Sequence, residues 1–350
     1  MIQRLIRGRL LYLLLGLLVV FLYWRSGSVG MLAHPEASRP APSQPDPSMG
    51  WWPEALDMAA LKQGLLREPR LGILLGLLSV LLVSMGLGGF VISIWSLWTG
   101  RVRSVWRFPL QRLPRWSGGE LARVIMLTIL IAGLLPFAHM ALLSTSAGWQ
   151  LDQHLWISGS MLVLDAFVVL TILTFAAGKG PSIGAAIGFP SRKLLRGIRA
   201  GLFGYLAVFP WLFILLWLVV EVARWLGFQP PLEMIQELVF EDNRTSVLVL
   251  TTLLACVIGP VAEELFFRGI VYTALRQRMP RLVAMLVSGA LFSLIHTSLV
   301  GFLPIMVLGC LLAYLYERTG SLASPLAVHM LHNTLLMALA FTFRQLASLT

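Results

Sequence analysis

Charge is scarce in this sequence. Only 12% of its 350 residues are Asp, Glu, Lys or Arg, against ~25% in an ordinary soluble domain, and 57% are hydrophobic. With a mean hydropathy of +0.81, a soluble globular chain is excluded. Disorder throughout is excluded as well, because a chain with 12 Trp and 18 Phe collapses rather than staying solvated. Acidic residues number 16 against 27 basic ones, yet the arginines sit in short loops between apolar runs, where they set membrane topology rather than build a DNA-binding face. No nucleic-acid partner is expected. Cysteine is nearly absent: Cys256 and Cys310 are the two present, each inside an apolar run, so neither a disulfide framework nor a cysteine-based zinc finger is available.

What the chain does have is long apolar stretches. A hydrocarbon core ~30 Å thick needs roughly 20 residues of helix, and runs of about that length start at Leu10, Leu71, Leu121, Leu155, Leu202, Ser246, Leu282, Phe302 and Leu322. The expected fold is all-α, a polytopic transmembrane helical bundle of about eight or nine spans. Residues 1–24 read as an N-terminal membrane anchor, uncleaved because Trp24 and Arg25 make a poor small-residue cleavage site. Residues 25–70, with HPEASRPAPSQPDPS, read as a Pro-rich flexible extramembrane linker. Residues 71–245 supply transmembrane helices with no recognisable chemistry, and residues 246–345 carry the candidate catalytic core.

Loop arginines and lysines give an orientation. Arg101, Arg103, Arg107, Arg112 and Arg115 share one loop, and Lys179, Arg192, Lys193, Arg196 and Arg199 lie two spans later. The loop between them, WQLDQH, has neither residue type, and the one after Leu226 is acidic. That alternation predicts a cytoplasmic N-terminus in a bacterial inner membrane, with Arg67 and Arg70 as exceptions.

Ionisable side chains inside such runs cost at least ~2.5 to 3.5 kcal/mol each on the insertion scale, so those that persist are either paired or functional. They are Asp165, Glu221, Glu263, Glu264, Arg268, His139, His296, His329 and His332. In VAEELFFRG, residues Val261 to Gly269, the four-residue step from Glu264 to Arg268 puts both on one helix face as a structural ion pair. Glu263 is rotated ~100° away without a local partner, and desolvation fits it for a general base. Phe292 and His296 share a face by the same spacing. So do His329 and Asn333, an imidazole and a carboxamide able to donate to an oxyanion, with His332 beside them as a less certain participant.

One carboxylate and two imidazoles on three helices admit two readings. In one, Glu263, His296 and His329 are the metal ligands of a His2Glu Zn2+ site with a fourth position open to water. In the other no metal is needed: Glu263 takes a proton from a water held with His296, while His329 and Asn333 stabilise the tetrahedral intermediate. Both lead to hydrolysis of an acyl bond within the membrane.

In order and spacing these residues resemble the CPBP family of intramembrane proteases, which includes the type II CAAX prenyl endopeptidases and the bacterial Abi-type proteins linked to bacteriocin self-immunity. The resemblance rests on E-E-x-x-x-R at Glu263, Glu264 and Arg268, F-x-x-x-H at Phe292 and His296, and H-x-x-x-N at His329 and Asn333. Pro260, Gly269 and YLYERTGSLASPLAVH strengthen it, over about residues 246 to 340. It implies cleavage of a membrane-associated peptide or protein, with Glu263 and His296 activating water and His329 with Asn333 binding the oxyanion, or with His329 as a metal ligand. It does not imply a CAAX substrate, and the preceding residues carry no family motif. No H-E-x-x-H, Gly-Asp or G-x-S-G occurs, which argues against zincin, presenilin-type and rhomboid sites. Two other classes compete: a proton-coupled transporter using Asp165, Glu221 and Glu263, and a non-catalytic membrane immunity or partner protein.

Overall fold

The computed structural model describes residues 58–100, 113–143, 152–180, 182–189, 194–228, 238–240, 242–296 and 298–347. Ten helices account for nearly all of them: α1 Met58–Arg67, α2 Pro69–Trp98, α3 Gly118–Leu143, α4 Gln153–Ala176, α5 Ile183–Ala186, α6 Leu194–Trp225, α7 Thr245–Arg276, α8 Arg281–Leu294, α9 Phe302–Thr319 and α10 Ala323–Ala347. No strand occurs among the described residues. Seven of the helices, α2, α3, α4, α6, α7, α9 and α10, are long and apolar enough to cross a membrane. Exposed Leu, Ile, Val, Phe and Trp side chains cover α2 and α6, an arrangement stable only against lipid.

Three sequence expectations change. The run beginning at Leu282 is not a full span: α8 has 14 residues, ~21 Å of helix, and it turns out of helical conformation just before His296. Residues 58–67 do not continue the flexible linker but form α1, because MAALKQGLLR, between Pro53 and Pro69, is free of proline and consists mainly of good helix formers. The span expected from Leu202 begins at Leu194, so Arg196 and Arg199 lie on the helix rather than in a loop. The proposed anchor at residues 1–24 and most of the linker lie outside the described residues.

Helix α7 is the organising element. It is continuous from Thr245 to Arg276 but widens into π-helical turns at Leu254–Ile258 and Leu265–Tyr272. Pro260 removes one N–H from its ladder and crowds the carbonyl one turn earlier, which is the kind of perturbation that opens a helix. Gly259 is fitted to that opening: a Cβ there would stand 2.9 Å from Leu254 O. Around α7 pack α4, α8, α9 and α10, while α6 packs on α2, α9 and α10. Where α8 and α9 cross, Gly289 and Gly309 let the backbones touch. A Cβ on Gly309 would lie 2.9 Å from Gly289 Cα. This contact leaves the Gly309 carbonyl facing α7.

Candidate active site

The first π-turn and the short α-helical turn after it aim Glu263 and Glu264 in different directions. Glu264 goes inward. Its side chain is 1% exposed and Arg268 is 0% exposed, joined by Arg268 Nη1 donating to Glu264 Oε1 at 2.7 Å. Arg268 Nη2 donates to Gly309 O at 3.1 Å, and the guanidinium lies 4.4 Å over the Phe292 ring. An arginine so deep in an apolar helix is retained only when a carboxylate, a carbonyl and an aromatic face replace its water.

The same Glu264 oxygen stands 2.9 Å from His329 Nδ1. A carboxylate accepts, so Nδ1 donates the proton and, in the neutral ring, Nε2 is left as a bare lone pair. His296 repeats the pattern, with Nδ1 2.8 Å from Phe292 O, a carbonyl that also only accepts. Both Nε2 atoms then face Glu263 Oε2 at 3.8 Å each. Phe292 spaces the two rings, 4.7 Å from His296 and 5.5 Å from His329.

The Glu263 and His296 side chains are each 27% exposed, whereas His329 is 2% exposed. Glu263 Oε2 has no hydrogen-bond partner. With both rings neutral and Glu263 ionised, three lone pairs converge here from α7, the turn after α8 and α10. Such a cluster is complete only when something that attracts lone pairs, a water's O–H groups or a cation, sits between. Among the described residues no three His, Cys, Asp or Glu side chains stand at metal-ligand spacing. The 3.8 Å separations fall between the ~3.3 Å edge of a tetrahedral Zn2+ sphere with bonds near ~2 Å and the ~4.5 Å span of two hydrogen bonds of ~2.8 Å meeting at one water.

Asn333 is placed differently from the sequence expectation of a free oxyanion donor. Its Nδ2 donates to Ala255 O at 2.8 Å, a carbonyl in the first π-turn, so one amide proton is spent clamping α10 to α7. His332 points toward α6, where Tyr205 Oη lies 2.8 Å from its Nδ1. Asp165 on α4 also approaches Glu263. Its Oδ2 and Glu263 Oε1 both lie within 3.8 Å of the position a Gly259 Cβ would take. His139 stacks on Trp156 at 4.7 Å, and Glu221 pairs with Arg224 at 3.1 Å on an exposed part of α6, so neither joins this cluster.

Several participants gave no sequence signal. The Gly309 carbonyl, the π-turns and Tyr205 arise from packing between distant segments. Glu317 is another: 1% exposed, it accepts from Tyr272 Oη at 2.8 Å and pairs with Arg276 at 3.2 Å and Arg281 at 3.5 Å. At the other end of α7, Arg244 bridges Asp152 and Asp242, and His154 Nδ1 lies 2.7 Å from Asp242 Oδ2. Hydrogen bonding from Arg244 holds Asp242 well below the usual carboxylate range and Asp152 down to about 2, the Leu155 N–H adding to the latter.

Fold and site together define a helical membrane protein with a two-histidine, one-glutamate cluster drawn from α7, the end of α8 and α10. Residues 245–335 match the family described as "Type II CAAX prenyl endopeptidase Rce1-like". A second similarity is to "Putative membrane peptidase YdiL" of Bacillus subtilis (strain 168), 32% identical over 85 residues, or 24% of this chain and 35% of that protein. The chain therefore spans about a third of the length of the curated relative it matches. No solved structure matches it. The similarity to CAAX-type proteases is confined to this segment, and the chain is an integral membrane protein.

Proposed function

We propose that the protein is an intramembrane endopeptidase that hydrolyses a peptide bond of a membrane-associated protein or peptide. The observation that carries this reading is the convergence of Glu263 Oε2 with two imidazole nitrogens that can only accept, 3.8 Å away on either side. A water between them donates one O–H to Glu263 and the other to a ring nitrogen, which leaves its oxygen lone pairs aimed outward. As that oxygen attacks a scissile carbonyl, Glu263 takes the proton and then delivers it to the leaving amine. Glu264 acts through His329 by fixing its tautomer, and Arg268 holds Glu264 in place.

A Zn2+ reading has one observation in its favour: ring N–H groups donated to a carboxylate and a carbonyl are the usual outer support of histidine metal ligands. Glu263, His296 and His329 are the residues that would hold the ion, and it would supply a water of lowered pKa. The loop charge pattern supports a bacterial inner-membrane location with the N-terminus cytoplasmic.

The test uses purified wild type and Glu263→Ala in liposomes with a panel of membrane-anchored peptides. Cleavage by the wild type and none by Glu263→Ala is expected. Equal cleavage by both would remove the enzyme reading, and a pH-driven solute flux without cleavage would replace it with transport.

A further inference from the structure

Asp165 is a carboxyl group inside a membrane span that the hydrolytic scheme leaves without a task. It lies seven residues after Ser158 and seven before Ile172 on α4, so the three share one helix face. That face is turned to α7. Ser158 Oγ stands 3.4 Å from Thr251 Oγ1, and Ile172 and Val168 are buried in the cluster that holds Leu265 and Ile270. Between these contacts Asp165 reaches the level of Glu263. Its Oδ2 lies 3.8 Å, and Glu263 Oε1 3.7 Å, from the place a Gly259 Cβ would take, so the missing side chain of Gly259 leaves a gap bordered by both carboxyl groups. Among the described residues Asp165 has no hydrogen-bond or ion-pair partner.

Glu263 has two oxygens to use. Oε2 faces His296 and His329, where the attacking water is held, and the same carboxyl must afterwards hand its proton to the scissile nitrogen. That nitrogen has to come within hydrogen-bond distance of Glu263 on a side that the two rings do not fill. Oε1 borders such a side, and Asp165 is the polar group beside it.

We infer that Asp165 is a further catalytic residue of the hydrolytic site, whose carboxyl oxygen accepts the N–H of the scissile amide and holds the nitrogen as the amine leaves. The inference rests on the endopeptidase reading. In the step concerned the water oxygen is already bonded to the carbonyl carbon. The nitrogen takes the proton carried by Glu263, the C–N bond breaks with its electron pair going to nitrogen, and a neutral amine departs. Protonation makes the nitrogen positive before the bond breaks, so its own N–H donates more strongly to Asp165 at that moment than in the bound substrate. A carboxyl group keeps an accepting lone pair whether or not it carries a proton, so this role does not depend on how the two acids titrate. Asp165 lies outside residues 245–335, which carry the similarity to CAAX-type proteases, and the role draws α4 into the chemistry.

The experiment compares a membrane-anchored peptide with its depsipeptide twin, in which an ester oxygen replaces the scissile N–H. Both are presented in liposomes to wild type, Asp165→Leu, Asp165→Ala, Asp165→Asn and the inactive control Glu263→Ala. Leu and Ala remove the acceptor and suit an apolar span, whereas Asn keeps one accepting oxygen. The ratio of peptide to ester single-turnover cleavage is expected to fall ~10- to 100-fold in Asp165→Leu and Asp165→Ala, the effect of losing one hydrogen bond to a charged group, and to recover most of the way in Asp165→Asn. An unchanged ratio in folded Asp165→Leu or Asp165→Ala overturns the inference, whether both rates drop together or neither does, because a residue that only shapes the packing around Glu263 moves both substrates alike. Glu263→Ala cleaving as fast as wild type is a separate outcome, which removes the endopeptidase reading itself.

Discussion

His329 and Glu264 are joined Nδ1 to Oε1 at 2.9 Å, and that same oxygen accepts from Arg268 at 2.7 Å. One buried carboxylate therefore links the ion pair that ties α7 to α9 with the ring that faces Glu263. Structure and chemistry share an atom here.

Replacing Glu264 should show both consequences. Glu264→Gln leaves a fully buried guanidinium unpaired and is expected to cost about 3–5 kcal/mol, read as a lower thermal midpoint in detergent. Glu264→Leu/Arg268→Met should be more stable than Glu264→Gln, because an apolar pair of similar volume needs no desolvation. It should not recover cleavage, since His329 stays without its carboxylate.

Asn333 contributes through the π-turn. Asn333→Ala is expected to lose about 1 kcal/mol or somewhat more by leaving Ala255 O without its partner. Amide hydrogen exchange in α7 around 254–258 should quicken more than in α9. Unchanged exchange would show that the clamp does not hold the widened turn.

The identity of the chemical residues was legible in the sequence because helical spacing is local. Glu264 and Arg268 at four residues, Phe292 and His296 at four, and His329 and Asn333 at four each define one face without knowledge of the fold. What pairs across helices was not legible: Arg268 with Gly309 is 41 residues apart and His332 with Tyr205 is 127. The geometry of Asn333 was also hidden. Its target is a carbonyl freed by a π-turn, and no residue pattern announces which carbonyl a perturbed helix releases. The length of α8 was misjudged for a related reason, as its apolar run continues past Leu294 although the backbone turns to bring His296 to Glu263.

Acid should loosen the far end of α7. Asp152 and Asp242 are held below their unfolded values by Arg244, so their contribution is present above the unfolded pKa of about 3.9 and is lost as pH falls toward the folded values. The wild-type midpoint should be flat from neutral pH to about 5 and decline below about 4. Arg244→Gln should have a lower midpoint at neutral pH and a shallower acid decline. Parallel declines in the two proteins would show that the clasp contributes nothing.

Chelation separates the two states of the site. With a water activated by Glu263 alone, cleavage is expected to survive exhaustive dialysis against a chelator, with no stoichiometric Zn2+ by elemental analysis. Loss of cleavage that Zn2+ restores would assign Glu263, His296 and His329 to the ion instead.

The most direct test is the single-turnover cleavage rate of Glu263→Gln against wild type, in preparations matched for thermal midpoint. Gln keeps the size and hydrogen-bonding reach of the side chain and removes only its capacity to take a proton. The account predicts a folded protein whose rate falls by about 1,000-fold or more, at the upper part of the range for general-base removal and beyond it where water orientation is also lost. A folded Glu263→Gln protein that cleaves within a few-fold of wild type would contradict it.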